Sequence, residues 1–393
     1  MALNVPFGDM KVRYQAIRRD IDEAVQRVLN SGYYILGPEL ETFEKAFAEF
    51  LGVNYVVGCA SGTEAIYLAL AAAGVGPGDE VIVVAHTAVP TISAISMTGA
   101  EPVFVDIDPD TYVMDVTKVE ARITARTRAI VPVHLYGQMV DLEPLLKLGK
   151  DKGIPVIEDV AQATGAVYKT KQAGASGEFA AFSFYPSKNL GAFGDGGAVS
   201  TNSKDGYEKL LKLRNYGQSK RYYHDEVGIN SRLDEIQAAI LGAQLPYLLE
   251  WNKRRREIAR QYSEGLQDLV IVPQESAVSS HVYHLYVIQT GDRDGLQKYL
   301  AEKGIGTLIH YPVPAHLQKA YAYRGYKVGE LPVTEALVKR ILSLPMFPEL
   351  TDEQVAQVIK EVRNYHLKNP SAQLVYNTTA FPSHTAANPA SIG

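Results

Sequence analysis

A single lysine stands in the run Ser183-Phe184-Tyr185-Pro186-Ser187-Lys188-Asn189-Leu190-Gly191-Ala192-Phe193-Gly194-Asp195-Gly196-Gly197. A lysine in a loop is ordinarily a solvated surface group. Here it lies between two runs that look buried, Ala180–Phe184 and Ala198–Thr201, and glycines on its C-terminal side let backbone approach a ligand closely. An amine in a low-dielectric pocket loses basicity and can act as a neutral nucleophile that forms a Schiff base with a carbonyl. The spacing does not match GxxxxGK[ST], so this is not a nucleotide P-loop.

Two further groups have matching chemistry. Glu158-Asp159-Val160-Ala161-Gln162 closes the apolar run Pro155–Glu158. Ligands of α/β proteins sit beyond the carboxyl ends of strands, so Asp159 is expected to point into a crevice. A buried carboxylate needs a cationic partner, and a protonated pyridine nitrogen would supply one. Ala60-Ser61-Gly62-Thr63-Glu64-Ala65 follows the run Tyr55–Val57 and opens a helical pattern. Free N–H groups at a helix start attract anions, and Thr63 adds a hydroxyl. The plainer reading is a capping box, with Ser61 as N-cap and Glu64 three residues on. A lysine nucleophile, a carboxylate for a ring nitrogen and a phosphate-binding helix start are together the parts of a pyridoxal 5'-phosphate site.

These residues need a frame. Ile17, Ile21, Ala24, Val25, Val28 and Leu29 follow one helix face until Gly32, and Leu40 to Leu51 form a second helix ending at Gly52. Strands are then expected at Tyr55–Val57, Val81–Val84, Val103–Val105, Ala129–Val133, Pro155–Glu158, Ala180–Phe184 and Ala198–Thr201. Helices are expected at Glu64–Ala73, Thr91–Thr98, Val116–Ile123 and Leu142–Lys152. Continuous apolar strands separated by helices predict a mostly parallel sheet covered on both faces, hence an α/β fold. A long helix begins near Ser231 and should kink at Pro246; its basic cluster Lys253–Arg256 reads as a solvated face. A small α+β unit follows, with strands near Val282–Ile288 and Thr307–Ile309 and helices near Leu296–Lys303 and Glu353–Tyr365. The expected organisation is a large domain over 1–245, a smaller C-terminal domain over 246–367 and a disordered tail over 368–393, rich in Ser, Thr, Ala, Asn and Pro.

Composition removes several classes of function. The 393 residues carry 39 Lys and Arg against 44 Asp and Glu, a formal charge of -5, which disfavours nucleic-acid binding. The 24 tyrosines are scattered without basic stripes and read as packing groups. One cysteine, Cys59, excludes an internal disulfide framework, a Cys-rich zinc site and a Cys-held iron–sulfur cluster. His281 and His284 would face opposite ways on a strand, so no metal site is expected there. No long apolar run suggests a membrane span or a leader segment, so a cytoplasmic protein is the expectation.

The chain resembles the DegT/DnrJ/StrS family of sugar aminotransferases from Val5 to Tyr365. The resemblance is carried by Ser31-Gly32-Tyr33-Tyr34-Ile35-Leu36-Gly37-Pro38, Ser61-Gly62-Thr63, Glu158 to Gln162 and Ser183 to Gly197. It is also carried by Gly228-Ile229-Asn230-Ser231-Arg232-Leu233, His281 to Tyr286, His310-Tyr311-Pro312 and Leu342-Ser343-Leu344-Pro345. The resemblance implies the aspartate-aminotransferase-like fold (PLP fold type I). It implies Lys188 as the Schiff-base lysine, Asp159 on the pyridine nitrogen, Gln162 near the ring hydroxyl, and Ser183, Gly62 and Thr63 on the phosphate. Asn230 is similar to an asparagine that reaches the phosphate from a neighbouring subunit, which implies a homodimer with shared sites.

The same resemblance implies that glutamate donates the amino group through pyridoxamine 5'-phosphate to a nucleotide-linked keto-sugar. His310 to Gln318 and the wording around Lys188 are similar to members that aminate the C-3 ketone of dTDP-linked 6-deoxyhexoses. Tyr34, Tyr185, Lys220, His310 and Tyr311 are the expected substrate contacts. One departure stands out: where many relatives stack an aromatic residue on the ring, this chain has Ala88 within His86-Thr87-Ala88-Val89-Pro90. The competing readings are C-4 or UDP-linked amination, a pyridoxamine-dependent sugar dehydratase, and a non-catalytic sensor of the cofactor or a sugar nucleotide. Dehydratase relatives carry histidine in place of the lysine, and a sensor would be expected to lose the lysine or the aspartate.

Overall fold

The structure is a computed structural model that describes residues 4–375. Helix α1 (Met10–Ala16) starts at Asp9, whose carboxylate accepts from the amides of Lys11 and Val12. Ile17 breaks it from α2 (Arg18–Ser31), which buries Ile21, Ala24 and Val28. Helix α3 (Pro38–Leu51) buries Leu40, Phe43 and Phe47. Both α2 and α3 end at a glycine with φ of 70°, Gly32 and Gly52, a left-handed conformation that costs glycine little.

The α/β unit follows in chain order: β1 (Tyr55–Cys59), α4 (Gly62–Ala72), β2 (Glu80–Val84), α5 (Val89–Met97), β3 (Glu101–Val105), β4 (Thr127–Val131), α6 (Leu142–Lys152) and β5 (Ile157–Asp159). A small hairpin of β6 (Val167–Tyr168) and β7 (Lys171–Gln172) precedes β8 (Phe179–Ser183), β9 (Gly197–Thr201) and α7 (Lys204–Leu213). The order β1-β9-β8-β5 is joined to β4-β2-β3 through bridges Ile130–Val156 and Val133–Asp159, which makes one sheet. Only β9 runs antiparallel to its neighbours β1 and β8. The sheet is buried on both faces. Phe179, Ala181 and Val57 enter the core under α4, while Ala180, Phe182 and Val56 enter the core under α3 and α8 (Glu235–Gln244). That alternation is the two-residue period of a strand sorting side chains between two layers.

The expected helix over Val116–Ile123 is instead two short 3-10 turns, Val116–Lys118 and Glu120–Arg122. Only Val119 of this segment is buried, so no apolar stripe rewards a full helix against β-branched Val116, Thr117 and Val119. After α7 a short hairpin of β10 (Gln218–Lys220) and β11 (Tyr223–His224) leads to α8. The 3-10 turn Leu245–Tyr247, with Pro246 inside it, separates α8 from α9 (Leu248–Leu266). Helix α9 begins against the sheet at Leu248 and ends in the second core through Ile258, Tyr262 and Leu266.

The second core also takes residues from β12 (Tyr286–Gln289), α10 (Arg293–Glu302), β13 (Ile341–Leu344) and α12 (Asp352–Lys368). Between them the short α11 (Pro332–Leu337) packs on the sheet's side, its first turn held by Asp106. Val5 lies in the second core and bridges Ile305, so the residues before α1 join the C-terminal unit. Strand β12 starts at Tyr286, later than expected, because the amides of Val282 and Leu285 pair with carbonyls of the 136–137 loop. Thr307–Ile309 makes one bridge, Leu308 to Ser343, and no strand.

Two further expectations need correction. The basic cluster on α9 is not wholly solvated: Arg255 is 2% exposed, and its Nη1 donates to the carbonyls of Met346 at 2.9 Å and Tyr283 at 3.1 Å. The expected tail begins as ordered chain. Ala372 is buried, its carbonyl accepts from Gly291 at 2.9 Å and Thr290 at 3.0 Å, and the Leu374 amide donates to Leu269. The remainder of that tail, 376–393, lies outside the described residues. Among the described residues no helix is long and apolar enough to cross a membrane.

Candidate active site

Asp159 ends β5 at the carboxyl edge of the sheet, flanked by β4 and β8, and is 2% exposed. Its Oδ1 accepts from the Ala161 amide at 3.0 Å, and its Oδ2 accepts from the Thr91 hydroxyl at 2.8 Å. Burial raises the Asp159 carboxyl above the usual carboxylate range, against the opposing pull of these two donors and of Lys188. The Lys188 amine is pulled down to about 8 by desolvation, with the charge of Asp159 acting in the other direction. The two ions attract each other, yet for both the loss of water dominates.

The chain around Lys188 is held from several sides. Its amide donates to the Tyr185 carbonyl at 2.8 Å, and its carbonyl receives Nη1 of the buried Arg13 at 3.4 Å. Next to it, Asn189 Nδ2 donates to Asn252 Oδ1 at 2.7 Å and to the Val282 carbonyl at 3.1 Å, while its Oδ1 meets His284 Nδ1 at 3.2 Å. Burial and the nearby cations Lys188 and Arg255 hold the His284 imidazole neutral, so Nδ1 carries the proton given to Asn189. Gln244 Nε2 ties down the Gly191 carbonyl at 2.7 Å.

The start of α4 faces the end of β8. Ser61 is the N-cap and accepts from the Glu64 amide at 3.2 Å, so the capping reading holds, but it leaves the amides of Gly62 and Thr63 at the opening of the helix. A Cβ on Gly62 would lie 2.5 Å from the Ser183 Cβ. Only a glycine lets that helix end come so close to Ser183, and the result is a cup of amide and hydroxyl donors suited to a phosphate. Behind it, Glu64 accepts from the Ser231 hydroxyl at 2.6 Å.

Gln162 follows Asp159 on the same loop. Its Oε1 accepts from the Tyr136 amide at 2.8 Å, and its Nε2 donates to the Tyr311 hydroxyl at 3.1 Å. The Tyr136 hydroxyl donates to the His310 carbonyl and meets His86 Nε2. His310 Nδ1 pairs with Ser343 Oγ at 2.9 Å, and burial with the nearby Lys188 charge lowers its imidazole to about 4. Burial pushes Tyr311 up to about 12. Lys188, Asp159, Gln162, His310 and Tyr311 are thus brought together from distant parts of the chain.

Other expected contacts lie elsewhere. Tyr34 is exposed, and its carbonyl accepts from the Glu235 amide at 3.1 Å. Tyr185 is exposed beside the lysine turn. Lys220 sits on the β10–β11 hairpin with its amine 4.0 Å from the Tyr223 ring centroid. Asn230 is exposed and bridges Asn215 through backbone. Among the described residues no hydrogen bond or ion pair joins Tyr34, Lys220 or Asn230 to the Lys188 and Asp159 side chains. Ala88 is the N-cap residue of α5, with the buried His86 and Thr87 before it. His281 and His284 precede β12 instead of lying on it; His281 stacks on Tyr283 at 3.9 Å.

Sequence reasoning missed Thr91, Tyr136, Asn189, His284 and Arg13. Thr91 carried one local signal: hydroxyls at Thr87 and Thr91, four residues apart at a helix start beyond a strand, share a face. The others depend on contacts between segments far apart in sequence.

The chain is similar to known proteins over most of its length. Residues 15–363 match the DegT/DnrJ/EryC1/StrS aminotransferase family. The chain is 47% identical over 363 residues to the dTDP-3-amino-3,4,6-trideoxy-alpha-D-glucose transaminase of Streptomyces venezuelae, covering 92% of this chain and 96% of that one. It is 45% identical over 368 residues to the pleiotropic regulatory protein of Geobacillus stearothermophilus, covering 93% of this chain and 99% of the other. The crystal structure of S. venezuelae DesV in complex with a ketimine intermediate superposes with a TM-score of 0.90 at 46% identity, covering 92% of this chain and 98% of that one. A family match over residues 15–363, with relatives 45% and 47% identical along 93% and 92% of the chain, shows that this chain belongs to the DegT/DnrJ/EryC1/StrS aminotransferase family.

Proposed function

We propose that this aminotransferase uses pyridoxal 5'-phosphate to move an amino group from glutamate to the C-3 ketone of a dTDP-linked 6-deoxy-keto-hexose. The observation that carries the reading is the meeting of Lys188 and Asp159 in one desolvated crevice beside the Gly62–Ser183 cup. Bound there, the cofactor supplies an electrophilic aldehyde and a cationic ring that accepts the electron pair left when a C–H bond breaks.

The residues present fit that group. Asp159 is a buried anion with two donors and free lone pairs, and a ring N–H would add the cation that offsets its desolvation. Gly62, Thr63 and Ser183 offer amide and hydroxyl donors that would hold the phosphate, and Gln162 would hold the ring hydroxyl. Lys188 Nζ would be the nucleophile that holds the aldehyde carbon, and as a free amine it would take the proton from the donor's Cα and return one to the product, which its lowered basicity suits. The exposed Asn230 is assigned to the phosphate of a neighbouring subunit in a homodimer. Tyr34, Tyr185, Lys220, His310 and Tyr311 are assigned to the sugar side.

The C-3 and dTDP assignments are supported by the 47% identical S. venezuelae transaminase. The name of the Geobacillus relative keeps a regulatory reading open to test. An absorbance scan of purified protein followed by glutamate separates the two. Loss of the visible band with formation of 2-oxoglutarate supports transfer, whereas binding of the cofactor without any response to glutamate supports a sensor. Turnover on a panel of dTDP- and UDP-linked 3-keto and 4-keto sugars then tests the substrate; preference for a UDP-linked or 4-keto member overturns that part.

A further inference from the structure

Behind Asp159 lies a pair of hydroxyls that the reaction as described does not use. Thr87 and Thr91 are buried, at 4% and 2% exposure, and their Oγ1 atoms lie 3.1 Å apart. Thr91 is in the first turn of α5, and its Oγ1 lies 2.8 Å from Asp159 Oδ2. An ionised carboxylate only accepts hydrogen bonds, so Thr91 must donate to it. That uses the one proton of Thr91, and Thr87 must then donate to Thr91. The order of donors is therefore fixed whenever Asp159 is charged.

We infer that Thr87 and Thr91 are positioning residues for Asp159, forming a one-way hydroxyl chain that holds Oδ2 and favours the ionised carboxylate opposite the ring nitrogen. The inference rests on the assignment of Asp159 to that nitrogen. The Ala161 amide fixes Oδ1 at 3.0 Å, so the two oxygens are pinned from opposite partners and the plane of the carboxylate is set. Chains of this kind polarise one another, which strengthens the terminal bond in a dry site. Lys188 and His134 are the cations or potential cations whose charge reaches Asp159, and neither occupies Oδ2.

The test uses the full chain loaded with pyridoxal phosphate labelled with 15N in the ring, in wild type and in Thr91→Ser, Thr91→Ala, Thr87→Val and Asp159→Asn. Serine and alanine both lose the methyl group, so their difference isolates the hydroxyl. The 15N shift reports the ring proton directly, and single-turnover rates with glutamate report its consequence. Thr91→Ala should move the shift toward the unprotonated ring and slow the half-reaction by about ten- to a hundredfold. Thr91→Ser should stay close to wild type, and Thr87→Val should change both readouts in the direction of Thr91→Ala but less. Equal shifts and rates in Thr91→Ala and Thr91→Ser, with Asp159→Asn strongly altered, would overturn the inference alone. Should Thr91→Ala not fold, Thr87→Val decides, and a wild-type shift there overturns the chain. An unchanged shift in Asp159→Asn would instead overturn the assignment of Asp159 itself.

Discussion

Gln162 Nε2 donates to the Tyr311 hydroxyl at 3.1 Å across 149 positions of sequence. The same amide accepts from the Tyr136 backbone, so one side chain joins the end of β5, the 136–137 loop and the 310–311 loop of the C-terminal unit. Gln162→Leu strands the Tyr136 N–H in a buried site. Stability should fall by about 1–3 kcal/mol in urea unfolding, and cofactor affinity should fall with it. An unchanged unfolding midpoint would mean that water replaces the amide.

Lys188→Ala should keep the fold by circular dichroism and lose both the visible absorbance of the loaded protein and turnover. A variant that still transaminates would place the nucleophile elsewhere.

The lowered basicity of Lys188 has a pH signature in the cofactor-free protein. Its folded value is about 8, against a reference value near ~10.4 when unfolded. The unfolded chain therefore binds more protons between these values, and stability rises with pH across that window. The cost of burying the charged amine is fully present below about 8 and is gone above the unfolded value. Lys188→Met should thus raise the melting temperature of the cofactor-free protein more at pH ~7 than at pH ~10.5. Equal gains at both would show that the amine is solvated.

Asp159→Asn should retain the cofactor through Lys188 and the phosphate cup while the half-reaction with glutamate slows by at least about a hundredfold, because a neutral amide does not keep the ring nitrogen protonated. Single-turnover spectroscopy checks this, and a rate within a few-fold of wild type would remove Asp159 from the chemistry.

Gly62→Ala puts a methyl group 2.5 Å from the Ser183 Cβ and forces the start of α4 away from β8. The expected outcome is a loss of about tenfold or more in affinity for pyridoxal phosphate, read by equilibrium dialysis, with a smaller loss for the phosphate-free aldehyde. Equal losses for both ligands would count against a phosphate site.

Arg255 is a buried cation whose Nη1 serves carbonyls of Met346, Tyr283 and His284. Burial and the nearby Arg13 lower it to about 9. Arg255→Met leaves those acceptors unpaired and should cost about 3–5 kcal/mol by denaturant unfolding. A near-neutral effect would show that the carbonyls find water.

Local chemistry was enough to read much of this protein. Apolar runs of strand length and glycine helix ends follow from periodicity and backbone sterics, which act over a few residues, and residue type at the expected strand ends singles out Lys188, Asp159 and Gly62. Strand ends of the large sheet lie within two positions of the expected ones, β12 begins four positions late, and Val116–Ile123 and Thr307–Ile309 form no α-helix and no strand, because terminal hydrogen bonds depend on neighbours from other segments. Only the tertiary structure decided that Arg255 leaves the solvent, that residues 369–375 dock, and that Thr91 meets Asp159 and Gln162 meets Tyr311. Those outcomes are set by which groups are desolvated together. A buried donor or acceptor takes whatever partner the packing brings within reach, and sequence spacing does not specify that partner.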